Sequence, residues 1–211
     1  MTAAILCNGL FPTEPYPLLL LDSADVVICC DGAFERYRAH TDRMPDAVIG
    51  DLDSLSPALQ KDAGERLVHV SEQDDNDQTK AVRYVLSHYP EVDEIHILGA
   101  TGLREDHTVG NMSLLMEYTR MFPLGDIRID MVSDFGTLFA ITDTIDLHVG
   151  KGRRFSLFSP DNSLIIKSAG LQWPTDDVVF DNWWKATLNR TTEDIVSLRF
   201  SHPSLALVAL D

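Results

Sequence analysis

The chain is poor in cysteine, in positive charge and in long apolar runs, and each shortage excludes something. Its three cysteines, Cys7, Cys29 and Cys30, are an odd number, and the last two are adjacent inside an apolar stretch. That argues against a disulfide framework or a zinc site and for buried, reduced thiols. No Lys or Arg precedes Arg36, so a secretory leader with its basic start is not expected. Apolar runs such as 18–21 and Val26–Cys30 fall far short of the roughly 20 residues that cross a bilayer. With 17 Lys+Arg against 33 Asp+Glu, the formal charge is −16, and the cations that nucleic acids and anionic membranes attract are scarce. Neither is expected as a partner. A cytoplasmic location is expected.

What is present is an ordinary globular composition, 45% hydrophobic and 24% charged, long enough for one large domain or two small ones. Up to about residue 120, short branched runs at 3–7, Val26–Cys30, 47–49, 67–70 and Glu94–Leu98 read as strands. Between them 34–40, Pro57–Ala63, Asp77–His88 and 106–121 read as helices, with Asp77 where an N-cap would sit. Alternation of this kind predicts an α/β domain with a mainly parallel sheet over 1–125. After Pro123, strand-like segments at 127–132, 137–141, 144–149, Arg154–Phe158, 163–168, 177–180, Ile195–Phe200 and 205–210 are punctuated by Gly and Pro. They predict an all-β sandwich over 140–211.

The acid excess is uneven. Residues 31–107 hold 17 acids against 8 bases, and four motifs lie in that stretch, each after a predicted strand. Asp31-Gly32 ends the second strand, where an open α/β sheet binds ligands, though Asp-Gly is also a common turn. Gly50-Asp51-Leu52-Asp53-Ser54 follows the third; in extended backbone Asp51 and Asp53 would share one side, as a Mg²⁺ site needs, and Ser54 alternatively caps the next helix. Residues 73–80 bring Gln73, Asp74, Asn76, Asp77 and Lys80. This loop lacks the Gly and Glu of a helix-loop-helix calcium site, and Asp77 can equally be a cap and Lys80 its ion-pair partner. Residues 99–107 form a glycine-containing loop opening onto a helix, with Gly102, Arg104, Asp106 and His107, and Asn111 one turn further on. A helix start suits an anion, but the loop has neither the lysine of a Walker loop nor a dinucleotide fingerprint. Together, three acid-rich strand ends and two cations have the makings of a metal-assisted phosphoryl or pyrophosphoryl transfer site.

In this order the four segments resemble the thiamine pyrophosphokinase family. That family's pattern is Asp-Gly, then Gly-Asp-x-Asp-Ser, then a Gln/Glu-Asp stretch with Asp and Lys, then Gly-x-x-Gly-x-Arg-x-Asp-His with an Asn beyond. The segment 168–173, ending Gly170-Leu171-Gln172-Trp173, is similar to the family's Gly-Leu-x-Trp, whose Trp stacks on thiamine. Residues 186–189 keep Asn189 of the family's Ser-x-Ser-Asn and lose its serines. The resemblance implies transfer of pyrophosphate from ATP to the hydroxyl of thiamine, giving thiamine diphosphate and AMP. For that reaction the chemistry of the residues predicts Mg²⁺ on Asp51, Asp53 and Asp77, with Asp31 or Asp74 as further ligands, and Lys80 and Arg104 on the polyphosphate. The resemblance also implies substrate contacts from Asp31, Gln73, Asn76, Gly102, Asp106, His107, Asn111, Trp173 and Asn189, and a homodimer with a shared site. A metal-dependent nucleotide phosphohydrolase and a non-catalytic thiamine- or nucleotide-binding module are the alternatives.

Overall fold

The computed structural model describes residues 1–211 as two compact units, Met1–Leu114 with Leu124–Asp134, and Leu115–Pro123 with Phe135–Asp211. The expected order holds: an α/β layer with a parallel sheet, then an antiparallel β-sandwich.

In the first unit the strands are β1 (Thr2–Leu6), β2 (Val26–Cys30), β3 (Ala47–Gly50), β4 (Leu67–His69), β5 (Glu94–Leu98) and β6 (Arg128–Ser133). They lie in the order β6-β5-β1-β2-β3-β4, and every pair is parallel. Strands β1 and β2 are almost wholly buried, which explains why they read as unbroken apolar runs rather than alternating ones. From β1 the chain steps outward through β2, β3 and β4, then returns to β5 on the other side of β1. The direction of winding thus reverses between β1 and β5, and at such a switch point a crevice opens beyond the carboxyl ends of the strands.

The connecting helices are α1 (Pro15–Ser23), α2 (Ala33–His40), α3 (Pro57–Ala63), α4 (Asp77–His88) and α5 (Glu105–Met121). Two expected caps move. Asn76, not Asp77, caps α4, its side chain accepting from the Thr79 N–H, and Ser56, not Ser54, caps α3. In both cases the residue with extended backbone is the cap, as capping geometry requires. Helix α4 buries Ala81, Val82 and Val85, the apolar face visible in its sequence. Helix α1 was not legible. Its 18–21 leucine run has no amphipathic period, and its start is fixed from afar, where the Asp134 carboxylate accepts from the Thr13 and Glu14 N–H groups.

The segment 127–132, read with the strand-like segments after Pro123 and ahead of the sandwich bounds, supplies the parallel strand β6, paired with β5. Only Met131 and Val132 are fully buried in it, so it does not read as the unbroken apolar run of β1 and β2. The second unit has two antiparallel sheets. One is ordered β11 (Ala186–Arg190), β9 (Arg154–Phe158), β13 (Ala206–Leu210), β7 (Gly136–Ile141); the other is β10 (Ile166–Ala169), β12 (Ile195–Phe200), β8 (Ile145–His148). Phe155, Leu157, Val208, Ile166, Val196 and Leu198 fill the space between them. Residues 177–180, expected as a strand, turn instead, with the Val178 N–H donating to the Thr175 carbonyl. Phe180 is still buried, so the apolar pattern reported burial without a ladder. Strand β11 was not anticipated, because a bulge between Ala186 and Asn189 breaks its alternation.

Candidate active site

A crevice of about 480 Å³ lies at the strand ends of the first unit. The loops after β1 and β5, which contribute Gly9 and Gly99 to its lining, are tied main chain to main chain. The Gly9 N–H donates to the Gly99 carbonyl at 2.7 Å, and the Leu10 N–H to that of Thr101 at 2.8 Å. A Cβ on Gly9 would stand 2.3 Å from the Gly99 oxygen, so only glycine lets the loops after β1 and β5 approach this closely. Gly102, predicted to touch substrate, is exposed and outside the crevice lining. A Cβ there would meet Leu10 at 2.7 Å, so this glycine serves loop packing.

Three carboxylates converge on one wall. One oxygen each from Asp31, Asp51 and Asp53 lies within 4.8 Å of the others. They do not meet as extended Asp-x-Asp geometry would have it. Leu52 has φ 65° and Asp31 φ 42°, sparsely populated backbone for such residues. Gly50 makes room: a Cβ there would lie 2.9 Å from the Asp31 Cβ and 3.3 Å from Asp77 Oδ2. Asp31 is 4% exposed. Its Oδ2 accepts from the Ser54 N–H at 3.3 Å, while its Oδ1 is buried with no hydrogen-bond partner. Burial raises the Asp31 carboxyl above its ordinary value, against the hydrogen bonds from Ser54. The hydrogen bond from the Asp53 N–H, aided by Gln73, lowers Asp51.

Asp77 stands on the first turn of α4, raised by burial and pulled back down by Lys80. The Lys80 side chain is 5% exposed and 3.4 Å from Asp77 Oδ1, and its ammonium also donates to the Val70 carbonyl at 3.3 Å. A cation so held keeps its position without waiting for substrate. Arg104 lines the crevice but is exposed and paired through two nitrogens with Asp106. His107 is exposed and lines it too. Asp106 is outside the lining, as is Asp74, which is exposed; Asp75 takes its place. Gln73, Asn76 and Asn111 all line it. Cys7, Asn8 and Gly9 were missed; an Asn-Gly directly after the first strand was their signal.

The remaining two predicted residues belong to the second unit. Trp173 is 55% exposed. Asn189 is buried and clamps its backbone, accepting from the Trp173 N–H at 3.1 Å and donating to its carbonyl at 2.7 Å. Trp183 packs on Phe158, whereas Trp184 is exposed beneath the Lys185 ammonium.

Carboxylates with an orphaned oxygen, a buried lysine beside them and a parallel sheet beneath are the parts that an α/β phosphotransferase site requires. Comparison with known proteins narrows the class. The profile of the thiamin pyrophosphokinase catalytic domain matches residues 18–123, and that of the substrate-binding domain matches 136–205. Thiamine pyrophosphokinase 3 of Oryza sativa subsp. japonica is 30% identical over 190 residues, 75% of this chain and 67% of its own. Thiamine pyrophosphokinase 1 of the same plant is 27% identical over 207 residues, 83% and 74% of the two chains. The crystal structure of the yeast thiamin pyrophosphokinase superposes with TM-score 0.81 at 17% identity, covering 100% of this chain and 86% of the other. That of Bacillus subtilis gives 0.78 at 20%, covering 99% and 98%; at such identities these matches speak to the fold. The chain belongs to the thiamin pyrophosphokinase family. No helix is long and apolar enough to cross a membrane.

Proposed function

We propose that the protein transfers the diphosphoryl group of ATP to the hydroxyl of thiamine, releasing AMP, with Mg²⁺ held by Asp31, Asp51 and Asp53. The observation that carries the metal is the buried, unpartnered Oδ1 of Asp31 among two further carboxylates. Such an atom is costly unless something satisfies it, and a hard cation does so with oxygen ligands. When bound, Mg²⁺ neutralises polyphosphate charge. The chain's own residues do the rest. Lys80, fixed between Asp77 and Val70, faces the phosphates as a preset cation. Arg104 exchanges Asp106 for phosphate, a bidentate partner of the same shape. Gln73 and His107 line the approach. Transfers of this kind depend mainly on positioning and electrostatics, so no strong base is required. Trp173, its backbone locked by Asn189, presents an indole face to the cationic vitamin.

The buried free thiols fit a reducing cytoplasm. A homodimer is proposed on the family resemblance, and exposed Trp184 and Leu188 are apolar surface that a second copy would cover. The test is to incubate the protein with ATP and Mg²⁺, with and without thiamine, and to follow AMP. Thiamine-dependent AMP is expected; AMP or ADP formed equally without thiamine would show hydrolysis instead, and no turnover would leave only binding.

A further inference from the structure

The crevice has two flanks on different helices. The start of α4 carries Asp77 and Lys80, and the start of α5 follows Arg104 and carries His107. A short amide chain links them. Asn111 on α5 is 7% exposed. Its Nδ2 donates to the Ala100 carbonyl at 2.8 Å, and its Oδ1 accepts from Asn76 Nδ2 at 2.8 Å. Asn76 Oδ1 in turn accepts from the Thr79 N–H and hydroxyl, both at 3.0 Å. The ends of this chain are backbone groups that cannot exchange roles: an N–H only donates and a C=O only accepts. Both amides are therefore fixed in one orientation, running from the α4 amide through Asn76 and Asn111 to the loop after β5.

We infer that Asn111 is a positioning residue that holds the α4 start against the loop after β5, and that it does so through Asn76 rather than by touching substrate. Both ends of its amide are already engaged within the protein. Aspartate at either position has the right shape and the wrong polarity. Asn76→Asp keeps the helix cap but sets an acceptor against Asn111 Oδ1. Asn111→Asp keeps the acceptor for Asn76 but sets a carboxylate oxygen against the Ala100 carbonyl. Alanine at 111 removes the link without adding a charge.

The test is a double-mutant cycle of Asn76→Asp and Asn111→Ala, read in two ways. The first is amide hydrogen exchange at Thr79, which needs no turnover. Asn111→Ala is expected to speed exchange at Thr79, on the other helix, about tenfold by loosening its acceptor. Unchanged exchange there overturns the inference. The second is steady-state kinetics, which rests on the proposed function. Each single variant is expected to lower kcat about 10- to 100-fold with KM values moved less than about threefold. The double variant should be no worse than the poorer single, since residues acting as one unit are not additive. A raised KM with kcat kept, or multiplying effects, overturns it in favour of direct substrate contact. If the wild-type protein forms no thiamine-dependent AMP, the functional proposal fails while the Thr79 readout still decides the inference.

Discussion

In the first unit the groups offered for chemistry are charged and sheltered. Asp31 and Lys80 are each about nineteen-twentieths buried, in a crevice whose lining includes Gly9 and Gly99. In the second unit they are apolar and open to solvent: Trp173 at 55% and Trp184 at 66% exposure, and Leu188 at 83%. A buried carboxylate costs free energy until a cation arrives, so its unit is poised for an ion. An exposed indole costs little and gains only when a flat ring covers it. The two units therefore hold their binding energy in different forms, one as unmet electrostatics and the other as uncovered apolar surface.

Four measurements would break or sharpen that contrast. Asp53→Asn has the largest expected effect. It removes a charge from the carboxylate group without altering its shape, and should lower kcat about 10²- to 10³-fold with an unchanged circular dichroism spectrum. Near-wild-type turnover would remove the metal assignment. Trp173→Ala should raise KM for thiamine about 2- to 30-fold, the equivalent of ~0.5–2 kcal/mol for a cation over an indole, with KM for ATP unmoved. An equal change in both would erase the division of labour between the units.

The third measurement is thermal stability against pH, without Mg²⁺. The Asp31 carboxyl is raised above its ordinary value of 3.8, so the folded protein keeps that proton to higher pH than the unfolded chain does. Stability from this group is therefore lost as pH rises through the carboxylate range, and below 3.8, where both states are protonated, no penalty remains. Asp77 carries the same sign. Asp31→Asn, whose side chain tolerates the φ of 42°, should gain in Tm over the wild type as pH rises, and Mg²⁺ should narrow the gap. A gap independent of pH would mean that this carboxylate is not strained by burial. The smallest effect lies in the second unit. Leu188 is left-handed at φ 60° and exposed, so Leu188→Gly should stabilise by about 1 kcal/mol, or a few degrees of Tm. A fall in Tm would show that the leucine side chain contributes packing after all.

The same contrast explains what could be read from sequence. The parallel sheet was legible because each buried strand is a compact apolar word between helices, and the acidic strand ends follow it directly. The convergence of Asp31 with Asp51 and Asp53 was only half legible. It depends on left-handed backbone at Asp31, a residue type that tolerates it, and at Leu52, whose type does not announce it. Asp74 and Asp77 lie in one acidic run, yet Asp77 opens α4 and is half-buried while Asp74, in the loop before the cap, stays in solvent. In the second unit Asn189 was found through resemblance, while its clamp on Trp173 is a pair of side-chain hydrogen bonds to backbone 16 residues away in sequence. Bulged β11 forms a ladder without alternation, and the segment 177–180 buries Phe180 without a ladder, so apolar pattern and strand pairing come apart in both places.

The contact between Gly9 and Gly99 has an evolutionary consequence. Two loops separated by about ninety positions in the chain are welded through their main chains, so neither can change length by itself. An insertion after the first strand would pry open the crevice unless the loop after the fifth strand changed with it. Across descendants of this sequence the two segments should be inherited as a single unit of fixed size, with Gly9 kept as glycine throughout.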